Sequence, residues 1–301
     1  MTQREKRVKV IIYDTFLFSE PHESDLLYLK CVLEDSGVDG WFVQENVFTL
    51  QGEPKKLHAQ EIVMSEDRFQ PFRHKIHFSN LNNKVVEGRD ENQNFLRESN
   101  QRVAFLSLTM KLDQETYFIV SDVDEMIDFS DENRSKRFKE ACEQNKNRSF
   151  WIQRMRYWYD YDNRCYLDDI HIPVVPIHLL HHSGAGVIPQ SRHYKDYSRC
   201  YGGLENPIAF EYSYVFKTIE DLYRKKCTYA HTGFTMESLE EALKLNAWPR
   251  PKERGESRGQ HDFFEMVELT EENSPKYIRE NLENIKTNIV DKNYKENRKG
   301  V

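Results

Sequence analysis

Residues Thr116 to Glu125 read Thr-Tyr-Phe-Ile-Val-Ser-Asp-Val-Asp-Glu, an apolar run that ends in two aspartates one residue apart. A continuous β-branched and aromatic run suits a strand covered on both faces, so Tyr117, Phe118, Ile119 and Val120 are expected inside a sheet. Asp122 and Asp124 then stand where that strand ends. In an open α/β sheet, ligands bind beyond the carboxyl ends of the strands. A hard divalent cation takes carboxylate oxygens together with water and substrate phosphates. The triplet therefore points to a metal held against a diphosphate, and to group transfer from a nucleotide-activated donor. The plainer reading is a solvated loop or a helix start, because a chain with 50 Asp and Glu residues carries such triplets by chance.

The chain has 301 residues, enough for one large α/β domain or two small ones, and 13% aromatic residues to build a core. Its net charge of −7 counts against a general nucleic-acid binder, which needs a basic face. A local basic groove around Arg192, His193, Lys195 and Arg199 would be the place for one. The five cysteines are scattered and form no CxxC pair, so neither a zinc site nor a disulfide framework is indicated. A reduced compartment follows, and with no apolar segment of signal or membrane length the expected location is cytoplasmic.

The periodicity predicts strands over Val8–Phe18, Gly40–Val47 and Lys75–Phe78 and helices over Glu23–Asp35 and Glu91–Leu112, before the strand that enters the triplet. Such alternation argues for a doubly wound, mostly parallel sheet. Further on, a helix is expected over Arg134–Gln144, an aromatic strand over Ser149–Tyr159, a helix over Ser238–Leu245 and a charged helix from Pro275. Residues 170–210, rich in Pro and Gly, read as loops that carry binding elements. With no repeats and no linker, the division expected is one catalytic domain over 1–290, with a half that binds the nucleotide-activated donor at 1–130 and an acceptor-side half at 131–290. A polar tail fills 291–301.

Four stretches, in order, resemble glycosyltransferase family seventeen, the bisecting β-1,4-N-acetylglucosaminyltransferase family. They are Tyr13-Asp14-Thr15-Phe16 with Glu23-Ser-Asp-Leu-Leu, and Val38-Asp39-Gly-Trp-Phe-Val-Gln-Glu45 with Phe48-Thr-Leu-Gln-Gly52-Glu-Pro54-Lys55. Arg97-Glu98-Ser-Asn-Gln101-Arg102 and Ser121-Asp122-Val123-Asp124-Glu125 complete the set. The likeness fades after about residue 165, apart from Ala230-His231-Thr232-Gly233-Phe234. The resemblance implies a Rossmann-like, mostly parallel α/β sheet with a D-x-D motif (the glycosyltransferase A-type fold), a single domain with an elaborated C-terminal half. It also implies an inverting, metal-dependent transferase using a nucleotide-diphospho-sugar, a UDP-sugar such as UDP-GlcNAc, and a hydroxyl acceptor on a glycan or glycoconjugate. Familiar animal members carry a membrane anchor; this chain shows none.

Transfer requires a neutralised leaving diphosphate, a deprotonated acceptor hydroxyl and in-line geometry. Asp124 is the first choice for Mn²⁺ or Mg²⁺, with Asp122 on the metal or the ribose. His231, after the β-like run Cys-Thr-Tyr-Ala, is a third ligand, a diphosphate contact or a structural histidine. Asp14 ends the first strand, where it meets a nucleotide or caps a turn. Glu45 is placed to bond sugar or nucleotide, Lys55 to meet phosphate or solvent, and Arg102, rather than Arg97, to approach the diphosphate. The base is a carboxylate on the face opposite the leaving group, with Asp262 and Glu205 ahead of Asp168, Asp169 and Glu265. Trp151, Tyr157, Trp158, Tyr159 and Tyr161 offer stacking platforms or core, and His178, His181 and His182 read as a loop rather than a metal cluster. The competing classes are a non-catalytic carbohydrate-binding protein on a transferase fold and a nucleotidyltransferase.

Overall fold

The structure is a computed structural model describing residues 10–82, 90–112, 115–165, 171–183, 200–202, 207–229, 233–249, 263–291 and 293–297. Strand β1 (Ile11–Leu17) is followed by helix α1 (Ser24–Glu34), strand β2 (Gly40–Asn46), helix α2 (Ala59–Ser65) and strand β3 (Ile76–Leu81). Helix α3 (Glu91–Arg102) leads to β4 (Thr116–Asp122), which delivers the acidic triplet. β1 pairs in parallel with β2 and with β4, and β2 with β3. The chain therefore runs outward from β1 to β3 and then returns to the other side of β1. The strand order thus reverses at the carboxyl ends of β1 and β4, where Leu17 lies opposite Asp122, the kind of position at which open α/β sheets bind ligands.

Alternation explains why β4 is apolar throughout. Tyr117 and Ile119 enter the main core with Ile12, Phe16, Trp41 and residues of α1, while Phe118 and Val120 enter a second cluster with Phe42, Phe105 and Val175. Both faces of the sheet are covered, and strands of such sheets carry continuous apolar runs. Helices start where the sequence provides caps: the Asp90 carboxylate accepts from Gln93 N–H on α3, and Asp131 from Arg134 N–H on the next helix, α4 (Glu132–Gln144).

The second half extends the same sheet. It contains β5 (Glu125–Ile127), β6 (Phe150–Trp158), β7 (Asn163–Cys165), β8 (His171–Pro176), β9 (Cys200–Tyr201), β10 (Ala209–Ser213) and β11 (Glu265–Met266). β8 joins the halves, antiparallel to β4 on one side and to β6 on the other. β10 lies parallel to β6 and antiparallel to β5. The result is a single α/β domain whose parallel N-terminal half is continued by mixed pairings.

Three expectations change. The helix expected to run to Leu112 stops at Arg102, and a 3₁₀ stretch, Ala104–Leu108, follows. Its tighter winding turns Phe105 against Phe42 and Phe118, at ring separations of 5.8 and 5.0 Å, and leaves Leu108 exposed. The region expected as loops holds β8, a fully buried strand. Its two prolines hid it, since proline cannot donate to a ladder; here Pro173 lies opposite β6 only and Pro176 opposite β4 only. In the expected polar tail, Tyr294 is buried against the main core.

Gly37, just past α1, stands so close to Phe129 that a Cβ there would lie 2.0 Å from the ring. Gly37→Ala is expected to cost about 1–3 kcal/mol as overpacking. Urea unfolding with an unchanged midpoint would refute the contact.

Candidate active site

The acidic triplet is held from three sides. On the sheet side, the Lys30 ammonium is fully buried and lies 2.5 Å from Asp14, 3.2 Å from Glu34, 3.0 Å from Ser121 Oγ and 2.5 Å from the Glu125 carbonyl. Ser121 and Glu125 flank the triplet, so one charge binds both of its ends. Ser121 Oγ also donates to Asp14 at 2.7 Å. On the α3 side, Arg102 donates to Asp122 at 2.5 Å, to Glu98 at 2.8 Å and to the Ser121 carbonyl at 3.0 Å. On the β10 side, Tyr212 N–H donates to the Asp124 carbonyl at 2.8 Å, and Ser213 Oγ donates to the Asp124 carboxylate at 3.3 Å.

The charges around this point do not balance evenly. Glu211 and Ser213 share one face of β10, and Glu211 is buried beside Asp124. Burial alone would push the Glu211 carboxyl up, but Arg154 and Arg156 outweigh it and hold it at about 2. Arg154 also reaches Glu125 at 3.1 Å. Among the described residues, Asp124 has no guanidinium of its own. Burial first, then repulsion from Glu211, Asp122 and Glu125, pushes its carboxyl up to about 7 against the pull of Lys225. A buried acid displaced in this way by its surroundings is a candidate functional group.

Beyond Asp124, the carboxyl ends of β6 and β10 lie side by side, Trp158 opposite Ser213. Each continues into a tyrosine of positive φ, Tyr159 at 66° and Tyr214 at 57°. Bulky residues rarely adopt this region, and the two are locked together by the Tyr159 N–H bond to the Ser213 carbonyl at 3.1 Å. The helix Ile219–Thr228 then brings Lys225 to an ion pair with Glu23, in the electrostatic reach of Asp124 and Asp122, and buries Lys226 beside Tyr214.

The reversal of strand order, the two aspartates at the end of β4 and the buried acids beside them make this corner the candidate site. The family model of glycosyltransferase family 17 matches residues 1–245. The chain belongs to glycosyltransferase family 17. Among curated proteins, none matches it. Family 17 membership makes glycosyl transfer the activity, with a sugar donor and an acceptor as its substrates.

For this family 17 chain, the structure brings Asp122, Asp124 and Arg102 together. It places Asp14 behind them, fully buried against Lys30. Glu45 stands at the end of β2, where it accepts from Lys55 at 2.5 Å and from the N–H groups of His58 and Ala59 at 2.9 and 2.8 Å. Those bonds satisfy the open start of α2 and close the loop that carries Lys55. Arg97 bonds the Leu50 carbonyl and Asn94. His231, Glu205, Asp262, Asp168 and Asp169, with Arg192, His193, Lys195 and Arg199, lie outside the described residues. Glu265 is exposed on edge strand β11.

Trp151, Tyr157, Trp158, Tyr159 and Tyr161 are all buried and belong to the core rather than to an acceptor platform. His181 bonds Thr109 Oγ1 at 3.1 Å. Cys227 and Thr228, read as part of a β-like run before His231, close a helix instead. Among the described residues, no group of three His, Cys, Asp or Glu side chains is set to hold a metal ion, and no helix is long and apolar enough to cross a membrane.

Glu211, Arg154, Tyr214, Lys225 and Lys226 escaped the sequence reading. The alternation Phe210, Glu211, Tyr212, Ser213 is the signal that could have found β10, with one apolar and one polar face. Lys226 has a measurable consequence. Burial, reinforced by Lys225, pushes its amine down to about 7 from the 10.5 of an exposed lysine. Between those values the unfolded chain binds the additional proton, so stability climbs as pH rises from about 7 and the full cost is felt below it. Lys226→Met is expected to raise the melting temperature most near pH 6 and to lose that advantage as pH approaches 10. A pH-independent difference in thermal melts would exclude the buried amine as its cause.

Proposed function

We propose that this family 17 glycosyltransferase moves a sugar from a nucleotide-diphospho-sugar, a UDP-sugar such as UDP-GlcNAc, to a hydroxyl of a glycan or glycoconjugate, with inversion and with Mn²⁺ or Mg²⁺. The observation that carries the reading is Asp124. Among the described residues, its carboxylate has one protein hydrogen bond, at 3.3 Å, three acids around it and a raised affinity for protons. That donor set fits a hard divalent cation, which takes one or two carboxylates and completes its shell with water and phosphate oxygens. Asp124 and Asp122 would hold the metal, and His231 is the further ligand proposed.

The metal, when bound, would neutralise charge on the leaving diphosphate. The protein's own groups prepare that step. Arg102 fixes the Asp122 carboxylate while bracing it against Glu98. Lys30 and the Tyr212 N–H hold the backbone of the triplet so that neither aspartate needs to reorganise on binding. Lys225, paired with Glu23, adds positive charge beside the two aspartates. The acceptor proton goes to a carboxylate base, proposed as Asp262 or Glu205. Nucleotide contacts by Asp14, Glu45 or Lys55 would require their ion pairs to open. A cytoplasmic setting belongs to the same proposal, as does an acceptor other than nucleic acid.

A thermal-shift screen of sugar nucleotides with and without Mn²⁺ tests the reading. At a ligand concentration about 100 times Kd, binding is expected to stabilise the folded chain by about 2.7 kcal/mol. No shift with any sugar nucleotide would sink the proposal. Asp124→Asn is expected to abolish the Mn²⁺-dependent part of the shift and to lower transfer by at least about a hundredfold. Sugar binding that persists unchanged in chelator, without turnover, would favour a carbohydrate-binding protein.

A further inference from the structure

Tyr214 combines three features that the fold does not need. Its backbone sits at φ 57°, a conformation a tyrosine adopts only when its surroundings impose it. Its ring packs on Trp158 at 4.6 Å and remains partly exposed beside the acidic triplet, close enough for Asp124 and Glu211 to act on its hydroxyl. Its hydroxyl accepts a hydrogen bond from the Lys226 amine at 2.7 Å.

Lys226 is the unusual partner. Its side chain is buried between the rings of Tyr214 and Phe234, with the amine 4.1 and 4.2 Å from their centroids. Among the described residues, its amine donates one hydrogen bond, the one to Tyr214. A buried ammonium without a carboxylate is costly, so a chain selected for stability alone would place an apolar residue here. The amine occupies a lone pair of the Tyr214 oxygen and leaves the phenolic O–H to donate elsewhere. An ordinary phenol keeps its proton near neutral pH, so this group acts as a donor and not as a base.

We propose that Tyr214, aimed by Lys226, donates its hydroxyl hydrogen bond to an oxygen of the ligand bound over Asp122 and Asp124. The inference rests on the sugar-nucleotide reading of that site. The oxygen belongs either to the diphosphate or to a hydroxyl of the transferred sugar; both are acceptors, and a nucleoside diphosphate tested beside its sugar nucleotide separates them. Lys226 is then a positioning residue, and the strained turn after Ser213 is what carries the ring to the ligand.

The test is calorimetric binding of UDP and of UDP-sugars, with Mn²⁺, to the full chain and to the variants Tyr214→Phe, Lys226→Met and the double variant. Tyr214→Phe keeps the ring against Trp158 and is expected to weaken binding roughly tenfold, the size of one hydrogen bond to a charged or strongly polar group. If the oxygen is on the diphosphate, UDP and UDP-sugar lose equally; if it is on the sugar, UDP binding is unchanged. Lys226→Met is expected to produce a similar loss while raising the melting temperature, and the double variant to lose no more than either single one, since the pair acts as a unit. Wild-type affinity for both ligands in Tyr214→Phe would overturn the inference, as would losses that simply add. A wild-type chain that binds no sugar nucleotide overturns the parent reading instead, and that result precedes any variant.

Discussion

The buried Lys30 ammonium is the interaction on which the rest of the structure depends. It stands between Asp14 on β1, Glu34 on α1, Ser121 at the end of β4 and the carbonyl of Glu125 on β5. A charge removed from water is tolerated only where opposite charge and hydrogen bonds surround it, and removing one partner of such a pair typically costs about 3–5 kcal/mol. Here the partners come from four elements. Their relative placement is thereby set, and with it the position of the acidic turn between Ser121 and Glu125. Glu34, which burial pushes up to about 8, adds bonds from Trp41 Nε1 and Ile127 N–H, so the same network reaches the second strand and the main core.

Above that network, charge is distributed by a different rule. Among the described residues, every carboxylate around the triplet except one has a close cation: Asp122 has Arg102, Glu125 has Arg154, Glu211 has both Arg154 and Arg156, and Glu23 has Lys225. The exception is Asp124, whose carboxylate is met by the Ser213 hydroxyl and crowded by like charge. A site of this kind is less stable empty than it would be with the acid replaced. Such groups cluster at functional sites, which is the ground on which Asp124 is proposed as a ligand-binding residue. The two tyrosines of positive φ at the ends of β6 and β10 are a second strain at the same edge, and Lys226 a third.

Much of the N-terminal half was legible because local pattern and global position agree there. Strand β4 is apolar on both faces, α1 carries a leucine stripe that ends before Gly37, and the strand-helix-strand rhythm leaves few topologies open. The placement of Asp122 at the end of a buried strand was legible for the same reason, since a run apolar on both faces marks where that strand runs and stops. The break at Arg102 was not legible, because the residues on both sides of it are compatible with helix and only the pocket between Phe42 and Phe118 decides where Phe105 must go. β8 was hidden by its prolines, whose missing N–H groups are harmless only because each proline meets a neighbouring strand on one side.

The amino-acid sequence by itself determined the parallel sheet of the first half, the carboxylates at the end of its central strand and the family, since these follow from residue order over short spans. The tertiary structure alone decided which charges meet. Asp14 and Lys55 are turned inward to Lys30 and Glu45, while Glu211 and Tyr214, some 90 residues beyond Asp124 in the chain, are brought to its side by the antiparallel pairing of β10 with β5. Coulomb interactions and burial act through space, and a one-dimensional pattern carries no record of which distant groups will share a low-dielectric corner.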